Sequence, residues 1–137
     1  MFIMFKDRYE IKIDRDKIVT VIPYYAIKNN IKRTTLRIRP KKTGIYNVRS
    51  GSYYRPNIWD YKIEIYSVRE VVLSELTIEE IKEDIGLTGE QYNIILRNNF
   101  DLRQNFYNML YKFNKNRLEN FNIYETKFYL HYIRPVV

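Results

Sequence analysis

The sequence contains no cysteine, one histidine, and only 4 glycines and 4 prolines among its 137 residues. Without cysteine the chain has no disulfide framework, no thiolate zinc site and no cysteine nucleophile. The single histidine, His131, excludes a multi-histidine metal site and any Ser-His-Asp triad that is not built around it. The small number of glycines and prolines argues against long disordered linkers. We therefore predict an ordered protein with no metal site and no cofactor.

Long apolar runs are absent as well. No run approaches the ~18 residues that a membrane-spanning helix needs. The apolar residues 1–5 are followed directly by Lys6, Asp7 and Arg8, so this run is too short for a signal peptide. These absences predict an intracellular, cytoplasmic protein with no membrane partner. A chain of this length is expected to form one domain, residues 1–137, with a core of its own.

The positive charge is concentrated in one part of the chain. The formal net charge is +8, and residues 28–55 contain nine Lys and Arg but no Asp or Glu. The remaining 15 basic and 16 acidic residues nearly cancel, so this segment supplies the whole excess. Cations neutralise phosphates and aromatic rings stack on bases, which favours a nucleic-acid surface over a merely solubilising one. The predicted contact residues are Lys28, Lys32, Arg33, Arg37, Arg39, Lys41, Lys42, Arg49, Tyr53, Tyr54 and Arg55.

Hydrophobic periodicity predicts an α+β fold in which strands, a short helix, more strands, helices and a last strand follow one another. The sheet is expected to be mixed or antiparallel and curled into a small barrel. A phase shift near Ser67 predicts a bulge in the longest strand. The predicted strands lie at 9–13, 18–22, 34–39, 45–48, 61–73 and 124–134, and the predicted helices at 24–29, 78–84, 89–98 and 102–112.

The ends of two helices carry specific sequence signals. Thr77 with Glu80, and Thr88 with Gln91, have the spacing of capping boxes, in which each side chain satisfies a backbone N–H of the other residue. Gly86 lies between the two helices and is expected to end the first one.

Residues 30–37, N-I-K-R-T-T-L-R, resemble the signature of the ASCH domain, a branch of the PUA-like barrels. The family pattern is G-x-K-x-x-E-x-R, or G-x-K-T-x-T-I-R in a sub-branch, and Lys32, Thr35 and Arg37 match it. Asn30 replaces the glycine, and Asn tolerates a positive φ better than most residues. The order of elements over residues 17–134 agrees with the family. The resemblance implies a small mixed β-barrel flanked by helices.

The resemblance also implies functions. ASCH domains are taken to bind RNA in a cleft between the barrel and its helices, which predicts an RNA- or nucleotide-binding module. A sub-branch is similar to amidohydrolases that deacetylate N4-acetylcytidine with a lysine, a threonine and an acidic residue. By position these residues are Lys32, Thr35 and Asp84. A third hypothesis is a non-enzymatic partner-binding protein of a ribonucleoprotein or a virus.

The hydrolase hypothesis makes a chemical demand on the site. A threonine hydroxyl is a nucleophile only when a base takes its proton, and a lysine is such a base only when its pKa is lowered. Lys32 and Thr35 are three residues apart and would lie on opposite faces of a regular strand. The most informative structural observation is whether Lys32, Thr35, Arg37 and Asp84 converge on one concave pocket.

Overall fold

The computed structural model describes all 137 residues and confirms an α+β protein with a mixed sheet. No helix combines the length and the apolar character that crossing a bilayer requires. The strands are β1 (Phe2–Phe5), β2 (Tyr9–Lys12), β3 (Ile18–Val21), β4 (Thr34–Arg37), β5 (Gly44–Gly51), β6 (Pro56–Ile58), β7 (Ile63–Val72) and β8 (Lys127–Pro135). The α-helices are α1 (Pro23–Lys28), α2 (Ile78–Ile85), α3 (Gly89–Arg97) and α4 (Leu102–Asn114).

Six strands form the main sheet, whose backbone pairing runs β1-β5-β7-β8-β4, with β6 paired to the end of β5. The β1–β5 pair is parallel, and the other pairs are antiparallel. β2 and β3 form a separate hairpin. The terminal strands β1 and β4 are not paired with each other, so the sheet is not closed. The expected closed barrel is therefore replaced by an open sheet with a seam between β1 and β4.

The apolar core has two parts. The larger cluster of 18 buried residues joins the β2–β3 hairpin, β4, the ends of β7 and β8, and helices α2 to α4. The smaller cluster of 9 residues lies under β1, β5 and α1. Trp59 belongs to the smaller cluster, where it stacks on Phe5 at 5.5 Å and donates a hydrogen bond to Ser50 Oγ at 3.0 Å. Trp59 is therefore a packing residue.

The local sequence signals are confirmed. Both capping boxes form, at Thr77 and at Thr88, and Gly86 ends α2 in the left-handed conformation with φ 91°. The β7–β8 register shifts between Ile65 and Ser67, where the phase shift predicted a bulge. The two capping boxes and the Gly86 helix end depend on neighbours within a few residues, which is why the sequence alone is sufficient to predict them.

Other strand predictions need correction. The strand predicted at 34–39 ends at Arg37, because residues 38 and 39 form a bend just before Pro40. Its residues Thr34, Thr35 and Leu36 are all buried, so the strand does not alternate between a core face and a solvent face. The segment predicted at 45–48 extends over the whole of β5, and the last strand begins at Lys127 instead of Tyr124. β1 and β6 were not predicted at all.

Candidate functional site

A cleft of about 550 Å³ lies between β1 and β4, the two strands of the main sheet that are not paired with each other. β1 and β4 form two of its walls, and the carboxyl ends of α2 and α4 complete it. Lys32, Thr35, Arg37 and Asp84 all line this one cleft. The other lining residues include nine hydrophobic ones. Its charged lining residues are the cations Lys6, Lys32, Arg37, Arg39, Lys41 and Arg117 and the single acid Asp84.

Lys32 is held by the turn that follows α1. Asn30 has φ 59°, in the left-handed region that asparagine tolerates better than most residues. The backbone N–H groups of Ile31 and Lys32 both donate to the Ala26 carbonyl, at 2.8 and 2.9 Å. This turn precedes β4, so strand alternation does not separate Lys32 from Thr35. The buried ammonium of Lys32 donates to two backbone carbonyls, those of Thr34 (2.8 Å) and Asp84.

Asp84 enters the cleft from the last turn of α2, and its side chain is buried. Its Oδ1 accepts a hydrogen bond of 2.9 Å from the Thr34 hydroxyl. The threonine that contacts the acid is therefore Thr34, which was not among the predicted site residues. A Cβ on Gly86 would lie 2.9 Å from Lys32 Cβ and 3.0 Å from Ala26 Cβ, so α2 ends in direct contact with the Lys32 turn.

Arg37 bridges the seam with its side chain. Its Nε donates to Thr35 Oγ1 at 3.1 Å, and its Nη2 donates to the Met4 carbonyl at 2.7 Å. The guanidinium also lies 5.0 Å from the centre of the Phe5 ring. Arg37 takes part in none of the ion pairs of the protein. A guanidinium has five N–H groups, so Arg37 keeps donors for a ligand, including those on Nη1.

Burial disfavours charge throughout this cluster. Burial lowers the pKa of Lys32, against the opposing attraction of Asp84. Burial also raises the pKa of Asp84, although Lys32 and the Thr34 hydroxyl both favour its ionised form. Tyr9, on the same cleft, has its pKa raised to about 12 by burial. Desolvation by burial, together with repulsion from Arg37, lowers the pKa of Lys41. An anion bound in the cleft would relieve the repulsion among these cations.

His131 is fully buried, and its ring nitrogens form polar contacts. Its Nδ1 lies 3.1 Å from the Thr35 carbonyl and 3.0 Å from the Tyr129 carbonyl, and its Nε2 accepts from the Lys41 N–H at 2.9 Å. Since carbonyls only accept, the ring is neutral with its proton on Nδ1. Burial also lowers the pKa of His131. The histidine therefore holds the turn of residues 38–41 against β4.

The basic segment predicted from the sequence is divided between the cleft and other surfaces. Arg33 donates to the Asn30 carbonyl at 3.0 Å and lies outside the cleft. Arg49 lies 4.3 Å from the ring centre of the exposed Phe2. The basic residues that line the cleft lie within residues 32–41 of that segment, with Lys6 and Arg117 added from outside it. The predicted contact residues that do not line the cleft are Lys28, Arg33, Lys42, Arg49, Tyr53, Tyr54 and Arg55.

One wall of the cleft was missed by sequence reasoning. The carboxyl end of α4 contributes Met109, Phe113 and Asn114, and Arg117 follows the helix. Met109 and Phe113 are four residues apart on α4 and so share one helix face, and periodicity alone does not show what such a face packs against. Lys6 lies 3.7 Å above the Phe113 ring and joins this wall to the loop after β1.

Comparison of the chain with protein-family models, with curated proteins and with solved structures finds no match. The fold and the site themselves define a small α+β protein whose mixed sheet is open along one seam, with a cationic cleft at that seam.

Proposed function

We propose that this protein binds a nucleotide unit of RNA, or of another nucleic acid, in the cleft between β1 and β4. The observation that carries the proposal is the convergence of Lys32, Thr35, Arg37 and Asp84 on one concave surface. The same surface carries six cations and one acid. Such an imbalance in a partly desolvated cleft favours an anionic ligand.

Each part of a nucleotide has a suitable partner in the cleft. The free N–H groups of Arg37 can donate to a phosphate, and the side chains of Arg39 and Lys41 supply further charge at the turn after β4. The rings of Tyr9 and Phe113 offer apolar surface for a base. The geometry therefore provides for phosphate and base together.

The proposed relationship to the ASCH and PUA-like proteins is supported by the placement of the motif. Asn30 forms the turn expected of the family's glycine, and Lys32, Thr35 and Arg37 line a cleft beside helices. In this chain the barrel would be an open variant of the PUA-like one. Its seam is joined by the hydrogen bond from Arg37 to the Met4 carbonyl instead of by strand pairing.

The test is a charge-removal variant of the cleft compared with a matched variant elsewhere. Replacing Arg39 and Lys41 together by glutamine is expected to weaken binding of a fluorescent oligo-uridine on the order of tenfold. The slope of log affinity against log salt is expected to become shallower by about 1.4, since each single-strand phosphate contact contributes about 0.7. Fluorescence anisotropy over a salt series measures both quantities.

The control replaces Lys42 and Lys62 by glutamine. Both are exposed and lie outside the cleft, so the control removes the same net charge. Its affinity and salt slope are expected to stay close to those of the unmodified protein. Equal losses in the two double variants would show that the nucleic acid responds to net charge, and would contradict a binding cleft.

A second candidate function, hydrolysis of an N4-acylated cytidine, is favoured by one specific observation. Lys32, Thr35 and Asp84 share the cleft, and burial lowers the pKa of Lys32. A neutral Lys32 can donate its two N–H groups to the Thr34 and Asp84 carbonyls and still hold a free lone pair. In this mechanism Lys32 takes the Thr35 proton as the hydroxyl attacks the acyl carbon, and a protonated Asp84 gives a proton to the leaving amine. Water then cleaves the acyl–Thr35 ester and releases the carboxylic acid, while the proton held by Lys32 returns to the Thr35 oxygen and Asp84 is reprotonated from the water.

The hydrolase candidate predicts that purified protein deacetylates N4-acetylcytidine, followed by chromatography of the released cytidine. Lys32→Ala and Thr35→Ala are each expected to reduce the rate by about 10²–10⁴-fold, because each removes a group that moves a proton or forms a bond. Thr43→Ala, an exposed threonine outside the cleft, is the matched control and should leave the rate unchanged. Activity that survives both cleft substitutions would remove these residues from the mechanism.

A further inference from the structure

The loop that joins β5 to β6 carries an unusual pair of side chains. Residues 52–55, here called the tyrosine loop, contain Tyr53 and Tyr54, whose exposed fractions are 78% and 90%. They are the two most exposed tyrosines of the protein. Aromatic side chains stabilise a fold chiefly by burial, so rings this exposed contribute little to stability. Their placement is better explained by a ligand that covers them.

The two rings form a surface suited to stacking. Their centres are 5.5 Å apart and their planes are nearly perpendicular, at 88°. In this edge-to-face arrangement the rings support each other and leave further ring faces open to solvent. Flat, exposed aromatic faces are what nucleic-acid bases stack on in proteins that bind single strands.

The tyrosine loop adjoins the cleft. It begins directly after Gly51, and Gly51 is itself one of the residues that line the cleft. The start of the loop is also firmly held. Asp7 Oδ1 accepts hydrogen bonds from Ser50 Oγ (2.7 Å) and from Asn57 Nδ2 (2.9 Å), so β5, β6 and the loop after β1 are tied together. A nucleic-acid strand that leaves the cleft beside Gly51 would reach Tyr53 and Tyr54 next.

The charge around the tyrosine loop also suits a polyanion. Residues 45–59 contain Arg49 and Arg55 and no acidic residue. The carboxylate of Asp7 lies at the base of the loop, where the hydrogen bonds from Asn57 and Ser50 lower its pKa, with a smaller contribution from the neighbouring Arg8. The loop itself is therefore positively charged, with its one nearby acid tied to the protein.

We propose that the tyrosine loop is a second stacking site, which binds bases that follow the nucleotide in the cleft. The ligand of this protein would then be a single-stranded segment of several nucleotides and not a free nucleotide. This inference rests on the proposed binding function of the cleft and adds the length and path of its ligand.

The experiment measures affinity against ligand length. Uridine monophosphate and oligo-uridines of increasing length are titrated into the unmodified protein, Tyr53→Ala, Tyr54→Ala and the double variant, by calorimetry or anisotropy. Affinity is expected to rise with length in the unmodified protein. Each single substitution should weaken binding of the longer oligonucleotides by about fivefold or more and leave the affinity for the monophosphate unchanged. The matched control is Tyr124→Ala, which removes another tyrosine that is 69% exposed and lies far along the chain.

The outcomes separate the second site from the cleft. If the monophosphate binds and affinity does not rise with length, the second site is overturned and the cleft is left intact. The same holds if affinity rises with length equally in the unmodified protein and in the double variant. Absence of binding at every length would overturn both. A parallel series of oligo-thymidines tests DNA as the ligand. In either series, a rise of affinity with length that is lost in the double variant supports the proposal.

Discussion

Replacing Gly86 by alanine is expected to lower the free energy of unfolding by about 2–5 kcal/mol. Two effects add. Gly86 ends α2 with φ 91°, a conformation that costs an L-residue about 1–2 kcal/mol. An added Cβ would also lie 2.9 Å from Lys32 Cβ and 3.0 Å from Ala26 Cβ, and such overpacking typically costs about 1–3 kcal/mol. Chemical denaturation followed by circular dichroism measures the loss.

Two further variants separate these effects. Gly89→Ala is the matched control, because a Cβ at Gly89 meets nothing within 4 Å and its φ is not in the left-handed region. It should be neutral or slightly stabilising. Gly86→Asn adds the same Cβ but tolerates a positive φ, so it should recover the conformational part of the loss and keep the contact part. A Gly86→Ala variant as stable as Gly89→Ala would show that α2 does not press on the Lys32 turn.

The local parts of the site could be predicted from the sequence because their causes are local. The Thr77 capping box, the left-handed Gly86 and the positive φ of Asn30 each depend on neighbours within a few residues. These features fix where α2 begins and ends and where the chain turns before β4. Together they place Lys32 and Asp84 at the ends of elements, where side chains are free to meet.

The contacts within the site could not be predicted, because they join residues far apart in the chain. The Thr34–Asp84 hydrogen bond spans 50 residues, and the Arg37–Met4 hydrogen bond spans 33. A pattern of alternation assigns Thr34 and Thr35 to opposite faces but does not show what covers each face. Here both faces are covered, so both hydroxyls are buried, and only one of them reaches the acid.

The missed strands have equally physical reasons. β1 is a short apolar run in which Ile3 and Phe5 face the core, but Phe2 and Met4 are apolar too, so no alternation marks it as a strand. β6 contains Pro56 and Asn57, which favour turns, and it forms only because the end of β5 offers it an edge. Without β1 in the prediction, the seam between β1 and β4 could not be foreseen either.

Replacing Asp84 by alanine is expected to lower the free energy of unfolding by about 1–3 kcal/mol, the usual cost of leaving buried polar groups without their partner. The Thr34 hydroxyl loses its acceptor, and the buried Lys32 loses the only acidic side chain in the cleft. Glu83→Ala is the matched control, since Glu83 precedes Asp84 on α2 but its side chain forms neither a hydrogen bond nor an ion pair. It should change stability by less than about 0.5 kcal/mol.

The double variant Lys32→Met with Asp84→Ala tests whether the two residues act as a pair. Burial opposes the charge on both residues, and their mutual attraction offsets part of that effect. The double variant is therefore expected to cost less than the sum of the single variants, by about 0.5–3 kcal/mol. Strict additivity would contradict the coupling. Loss of oligonucleotide binding in a double variant that still folds would connect this stability cycle to function.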